Sequence, residues 1–109
     1  MDEQSYLHLA ERAFRAIERA FEDVDPDVAE ATLAGDVLTI GFRDGSKCIV
    51  NTQRPTRQIW LAGRSRGWHF DYDEATQRWL DDRGSGVELM ACVADVTRKT
   101  VGVELPLQV

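Results

Sequence analysis

Six carboxylates crowd residues 11–27 of this chain. Glu11, Glu18 and Glu22 recur at i, i+7 and i+11, and Asp23, Asp25 and Asp27 follow directly. On a helix that spacing draws the glutamates along one stripe, and the aspartates carry the charge into the loop beyond. Carboxylate oxygens are hard donors that suit Fe²⁺, Fe³⁺, Mn²⁺, Ca²⁺ or Mg²⁺. No cysteine or histidine interrupts the set, so the expected chemistry is open, partly hydrated, exchangeable binding with poor metal selectivity. Two carboxylates ~5 Å apart repel by about 1 kcal/mol in water. A cation or a basic protein patch would relieve that repulsion and stabilise the fold. An ordinary solvated helix face has the same pattern.

A second group lies at 51–62, NTQRPTRQIWLA. In the segment Gln58 to Ala62 side chains alternate faces, so Ile59 and Leu61 share one and Gln58 and Trp60 the other. If the aliphatic pair faces the core, Trp60 looks outward beside the amides of Asn51, Gln53 and Gln58. A large aromatic on a polar surface marks a partner site; with the opposite facing, Trp60 is simply a core residue.

These groups need a scaffold. Residues 4–23 carry apolar side chains at three- and four-residue spacing and predict an amphipathic helix ended by the DVDPD segment. Short strands follow: Ala31 to Leu33, Val37 to Phe42 with Leu38, Ile40 and Phe42 on one face, then a hairpin turn at Asp44-Gly45 and a return from Lys47 to Asn51. Pro55 precedes the Trp60 strand; a basic turn at 63–67, a strand at 68–72 and another at 77–81 complete a meander. Val87 to Lys99 predicts a second helix, with Leu89, Val93, Val96, Met90 and Ala94 as its buried stripe. The tail TVGVELPLQV alternates Val101, Val103, Leu105 and Leu107 and predicts an extended segment on the core. Helix, five or six strands, helix is an α+β order: a two-layer sandwich with both helices on one face of an antiparallel sheet and the other face open to solvent.

The 109 residues suit one domain, 1–109, able to bury a core without metal or disulfides. Net charge is −6, unevenly spread: residues 1–36 hold ten acids and three arginines (−7), residues 37–109 nine acids and ten bases (+1). Such a surface disfavours nucleic acid. No apolar run suits a membrane span, and the acidic start MDEQSY does not resemble a leader. Cys48 and Cys92 fall in different elements and form neither a CxxC motif nor a disulfide framework. Both are expected to pack as small apolar residues in a reducing cytoplasm.

The whole chain resembles the frataxin family, in its small bacterial CyaY-type branch. The family pattern Asn-basic-Gln-x-Pro-x-x-Gln-(Ile/Val)-Trp-Leu is met by Asn51, Gln53, Pro55, Gln58, Ile59, Trp60 and Leu61, flanked by DGSK at 44–47, WHFD at 68–71, Trp79 and Asp82-Arg83. The resemblance implies a non-enzymatic, iron-binding regulator of iron–sulfur cluster assembly, cytoplasmic and monomeric without metal. It implies that Glu11, Glu18, Glu22, Asp23, Asp25 and Asp27 form an acidic ridge that holds Fe²⁺ or Fe³⁺ weakly and docks on a cysteine desulfurase. It implies that Asn51, Gln53, Gln58 and Trp60 meet the desulfurase–scaffold assembly. Two alternatives stand beside it: an interaction module that regulates the desulfurase without metal, and a ferroxidase. The ferroxidase would need convergent carboxylates and histidines on facing elements, and no such motif is visible.

The chain departs from the pattern in places. Arg12, Arg15 and Arg19 interleave with the acids; Arg15 is spaced to pair with Glu11 and Glu18, and Arg19 with Asp23. Ala29 and Ala31 thin the ridge, and Thr52 replaces the basic residue of the sheet motif. His8 is a candidate for a secondary metal site with Asp2 and Glu3, and His69 for a surface role. Arg54, Arg57, Arg64 and Arg66 form a basic group expected near the sheet.

Overall fold

A computed structural model describes residues 1–107. The elements run α1 (Glu3–Ala20), β1 (Ala29–Ala34), β2 (Val37–Phe42), β3 (Lys47–Gln53), a 3₁₀ turn (Arg54–Thr56), β4 (Gln58–Gly63), β5 (Arg66–Asp73), β6 (Arg78–Asp81) and α2 (Leu89–Val101). The six strands form one antiparallel sheet in chain order. Each strand therefore pairs with its sequence neighbour, and short turns set every register. Both helices pack on one face. Tyr6, Ala10, Phe14 and Ile17 of α1 and Leu89, Val93 and Val96 of α2 share a core with Leu38, Ile40, Val50, Ile59, Leu61 and Phe70 of the sheet. The two-layer α+β sandwich expected from the sequence is the fold observed.

α1 starts where Asp2 caps it, its carboxylate accepting the N–H of Ser5 at 2.7 Å. It stops at Ala20, short of the predicted 23. From there tighter turns carry the chain, with Phe21 N–H donating to Glu18 O and Val24 N–H to Phe21 O. Phe21 itself is buried, and the turn that sinks it into the core ends the helix before Pro26 can. α2 begins at Leu89, two residues later than predicted. Glu88 is its cap, its carboxylate accepting the N–H groups of Met90 and Ala91 at 2.9 and 3.2 Å. α2 ends on Gly102 with φ +74°, a left-handed cap that glycine adopts without strain.

Two further expectations change. Gly63 belongs to β4, not to the turn; a Cβ there would meet Val96 Cγ1 at 3.2 Å and Cys48 Sγ at 3.4 Å. The turn is Arg64-Ser65, both at positive φ, the two-residue geometry that matches strand twist. The tail is no single extended strand, because Val101 closes α2. Residues 102–107 follow without regular structure, and Leu105 and Leu107 pack against the core. The last two residues of that predicted segment, Gln108 and Val109, lie outside the described residues.

Cys48 and Cys92 are free and buried, and burial pushes both thiols up to about 12. They serve as small core residues, as expected. Among the described residues no helix is long and apolar enough to cross a membrane.

Candidate functional site

The open face of the sheet is built by alternation. Antiparallel pairing sets Val37 opposite Asn51, Asn51 opposite Trp60, and Trp60 opposite His69. These four side chains form a row across β2 to β5 on the face away from the helices. Ile59 and Leu61 point into the core at 0% and 2% exposure. Trp60 is therefore on the outer face, but it does not stand free there. Its ring stacks on His69 with centroids 4.1 Å apart and planes 13° from parallel. Its indole N–H donates to Gln58 Oε1 at 2.9 Å.

Gln58 is the hub of this face. Its amide nitrogen donates to Asp71 Oδ1 and to Asp82 Oδ2, each at 3.1 Å. Asp82 also faces His69 Nδ1 at 3.5 Å, and its backbone N–H donates to His69 O at 2.9 Å. Gln58 is thus nearly buried at 9% exposure, although its side chain lies on the outer face. Both of its amide hydrogens are donated and its oxygen accepts the indole N–H, which fixes the plane of the indole. Asn51 donates to Thr52 O, while Val37 and Ile49 leave apolar surface exposed on the same face.

A long-range clamp holds the motif. The Tyr6 hydroxyl donates to Gln58 O at 2.6 Å and accepts the N–H of Gln53 at 3.1 Å. α1 thereby ties both ends of the 53–58 loop. Arg57 turns the chain into β4 with φ +51°.

The acidic group is built differently. Glu11, Glu22, Asp23, Asp25 and Asp27 are exposed and Glu18 is half-buried. Arg15 pairs with Glu18 at 3.1 Å and stands 3.8 Å from Glu11. The structure therefore divides the six: two carboxylates share an arginine, and four continue around the end of α1 into the loop. Asp25 uses one oxygen on the N–H of Asp27 at 2.9 Å. Between Arg19 and Arg43 the chain has six acids and no basic residue, with Glu30 and Asp36 extending the group along β1. Among the described residues no three His, Cys, Asp or Glu side chains converge on a point where they could hold one ion. The exposed carboxylates are hard oxygen donors.

Several departures noted in the sequence fall elsewhere than expected. Thr52 points to the helix side of β3, buried, with its hydroxyl on Asp36, so it leaves the outer face unaltered. Ala29 is buried and pairs opposite Phe42, and Ala31 also packs inward. Neither occupies the acidic rim. Arg54 and Arg57 sit at one end of β4 and Arg64 and Arg66 at the other, so they form no single basic group. Arg54 lies 4.0 Å from Asp36, and Arg66 stacks 4.8 Å from the Trp68 ring. Asp71 and Asp82 entered the sequence reading only as parts of the flanking matches WHFD and Asp82-Arg83, with no role assigned. Asp71 was legible from its register opposite Gln58; Asp82 lies past the end of β6, where no periodicity reports facing.

The frataxin-like domain model matches residues 1–103. The chain belongs to the frataxin family. The iron–sulfur cluster assembly protein CyaY of Azotobacter vinelandii is 44% identical over 96% of this chain and 94% of its own length. Another CyaY, from Pseudomonas aeruginosa, is 41% identical over 97% of this chain and 98% of its own. Frataxin from Psychromonas ingrahamii, a solved CyaY-family structure, superposes with a TM-score of 0.86 at 30% identity, covering 96% of each chain. The frataxin fold thus accounts for the single meander, the two helices on one face and the open opposite face.

Proposed function

We propose that this protein regulates iron–sulfur cluster assembly without catalysis of its own. It carries iron weakly at its acidic rim and docks on the cysteine desulfurase–scaffold assembly. The family supports the pathway, since its close relatives are named for cluster assembly. The observation that carries the finer reading is the run from Glu22 to Glu30, whose five carboxylates are exposed and, among the described residues, have no ion-pair partner within 4 Å. Such a surface attracts cations and a basic protein patch through the same field. Iron is cargo here: Glu22, Asp23, Asp25 and Asp27 would hold it by outer oxygens and water, and the chemistry it supplies is that of a delivered metal.

The outer face supplies shape. Trp60 is held flat and oriented, with Asn51, Gln53 and Gln58 around it and apolar Val37 and Ile49 nearby. A rigid aromatic with a polar surround and exposed aliphatics is the composition of a contact hot spot.

Arg15 favours a second reading, docking without metal. By pairing with Glu11 and Glu18 it withdraws both from the candidate donors, while docking needs only the net charge of the rim. Titration of ¹⁵N-labelled protein with Fe²⁺ under anaerobic conditions tests the metal reading. Resonances from 18 to 30 are expected to move or broaden. Changes scattered over the surface would overturn it, and desulfurase binding that persists with a chelator present would favour the second reading.

A further inference from the structure

α1 carries a basic stripe beside the acidic one. His8, Arg12, Arg15 and Arg19 fall at i, i+4, i+7 and i+11, rotated from Glu11, Glu18 and Glu22 toward α2. This stripe forms one wall of a groove of about 640 Å³. The floor comes from elsewhere: Tyr72 of β5, Trp79 of β6 and Met90 of α2, with Gln77 at the opposite rim. Trp79 is buried and holds Tyr72 edge-on at 5.2 Å, so the floor is fixed. Arg12, Arg19 and His8 are exposed, and among the described residues none of them has an ion-pair partner within 4 Å. Glu11 also lines the groove and stands 3.8 Å from Arg15, which lines it too.

We propose that this groove docks a short acidic segment of a partner protein, with carboxylates on Arg12 and Arg19 and an aromatic or aliphatic side chain against Tyr72, Trp79 and Met90. Charge complementarity fixes the sign of the occupant, and the apolar floor requires it to bring apolar surface as well. The groove lies on the surface between α1 and the α2–β6 side, with three of its lining arginines exposed, which suits a peptide segment better than a small molecule that must be mostly enclosed. Nucleic acid is disfavoured, because the adjacent acidic stripe and the net charge of −6 repel a long phosphate backbone. The proposal is independent of the acidic rim and the outer sheet face: it assigns the arginines of α1 a partner of opposite charge to the one those carboxylates attract.

The test is a ¹⁵N titration with a peptide of alternating glutamate and phenylalanine, beside an oligothymidylate of equal charge. Saturable shifts at His8, Arg12, Ala16, Arg19 and the Trp79 indole N–H are expected with the peptide and not with the oligonucleotide. The double variant Arg12→Glu, Arg19→Glu should bind the peptide about tenfold or more weakly, with its thermal unfolding little changed because both side chains are exposed. A milder pair, Arg12→Gln and Arg19→Gln, should show an intermediate loss. Absence of saturable shifts in the groove, tighter binding of the oligonucleotide, or unchanged affinity in the charge-reversed variant would each overturn the proposal.

Discussion

The rim at the end of α1 and the outer face of the sheet are both polar surfaces, yet they are organised in opposite ways. On the rim the carboxylates of Glu22, Asp23 and Asp27 reach into water, and the one side-chain bond in the loop is Asp25 on the N–H of Asp27. On the sheet, Gln58 alone joins Trp60, Asp71 and Asp82, and His69 stacks beneath the indole. Under the proposed function the rim would act as a field, strong at a distance and tolerant of geometry, and the sheet as a template, weak at a distance and demanding at contact. Long-range charge sets the rate of encounter and oriented contacts set the lifetime, so the two regions suit successive stages of one docking event.

Substitutions can break that division. The largest effect separates the outer tryptophan from the core one. Trp79→Ala should cost about 3–5 kcal/mol in a denaturant melt, since it empties part of the core. Trp60→Ala should cost only about 1 kcal/mol, while weakening the desulfurase–scaffold contact about thirtyfold or more in a binding titration. Gln58→Ala comes next. It strands the indole N–H and removes the donor shared by Asp71 and Asp82, so unfolding should become about 2–3 kcal/mol easier. The Trp60 side chain should also lose its fixed orientation, visible as a changed near-ultraviolet dichroism.

A smaller effect belongs to the core beneath both surfaces. Burial raises Cys48 and Cys92 to about 12, above an unfolded thiol near ~8.5. The stabilisation is therefore complete below the unfolded value and is lost as pH climbs from about 8.5 toward the folded value. One unit above the unfolded pKa, each thiol should have reduced stability by about 1.4 kcal/mol. Cys48→Ala should halve that slope in melts taken across alkaline pH. The smallest effect sharpens the rim. Arg15→Gln releases Glu11 and Glu18 from a pairing between exposed groups, and cation affinity should rise about threefold in an anaerobic titration.

Much of this was legible in the sequence where a period or a turn signal applied. Leu38, Ile40 and Phe42 alternate inward as expected, Asp44-Gly45 makes the hairpin, and Ile59 and Leu61 put Trp60 on the outer face. Helix ends were less legible, because Phe21 and Glu88 act through burial and side-chain capping rather than through proline or glycine. The turn at Arg64-Ser65 was drawn too wide, as 63–67, because its flanking glycines read as turn residues, while Gly63 is kept small by Val96 and Cys48. The template itself was only half visible. Register predicts that Trp60 meets His69, but the return of Asp82 to Gln58 depends on a loop with no repeat. Helical spacing foresaw Arg15 beside Glu11 and Glu18, as the structure has it, but also Arg19 beside Asp23, and among the described residues no ion pair joins those two.

Transverse-relaxation-optimised ¹H–¹⁵N spectra of the labelled protein, recorded with and without a cysteine desulfurase–scaffold complex, read both regions at once. The three tryptophans give three indole N–H signals as internal controls. Joint broadening of residues 22–30 and of the Trp60 indole, with the Trp68 indole unchanged, is the predicted result. A complex that forms while the Trp60 indole and the acidic rim both keep their free positions would contradict the account.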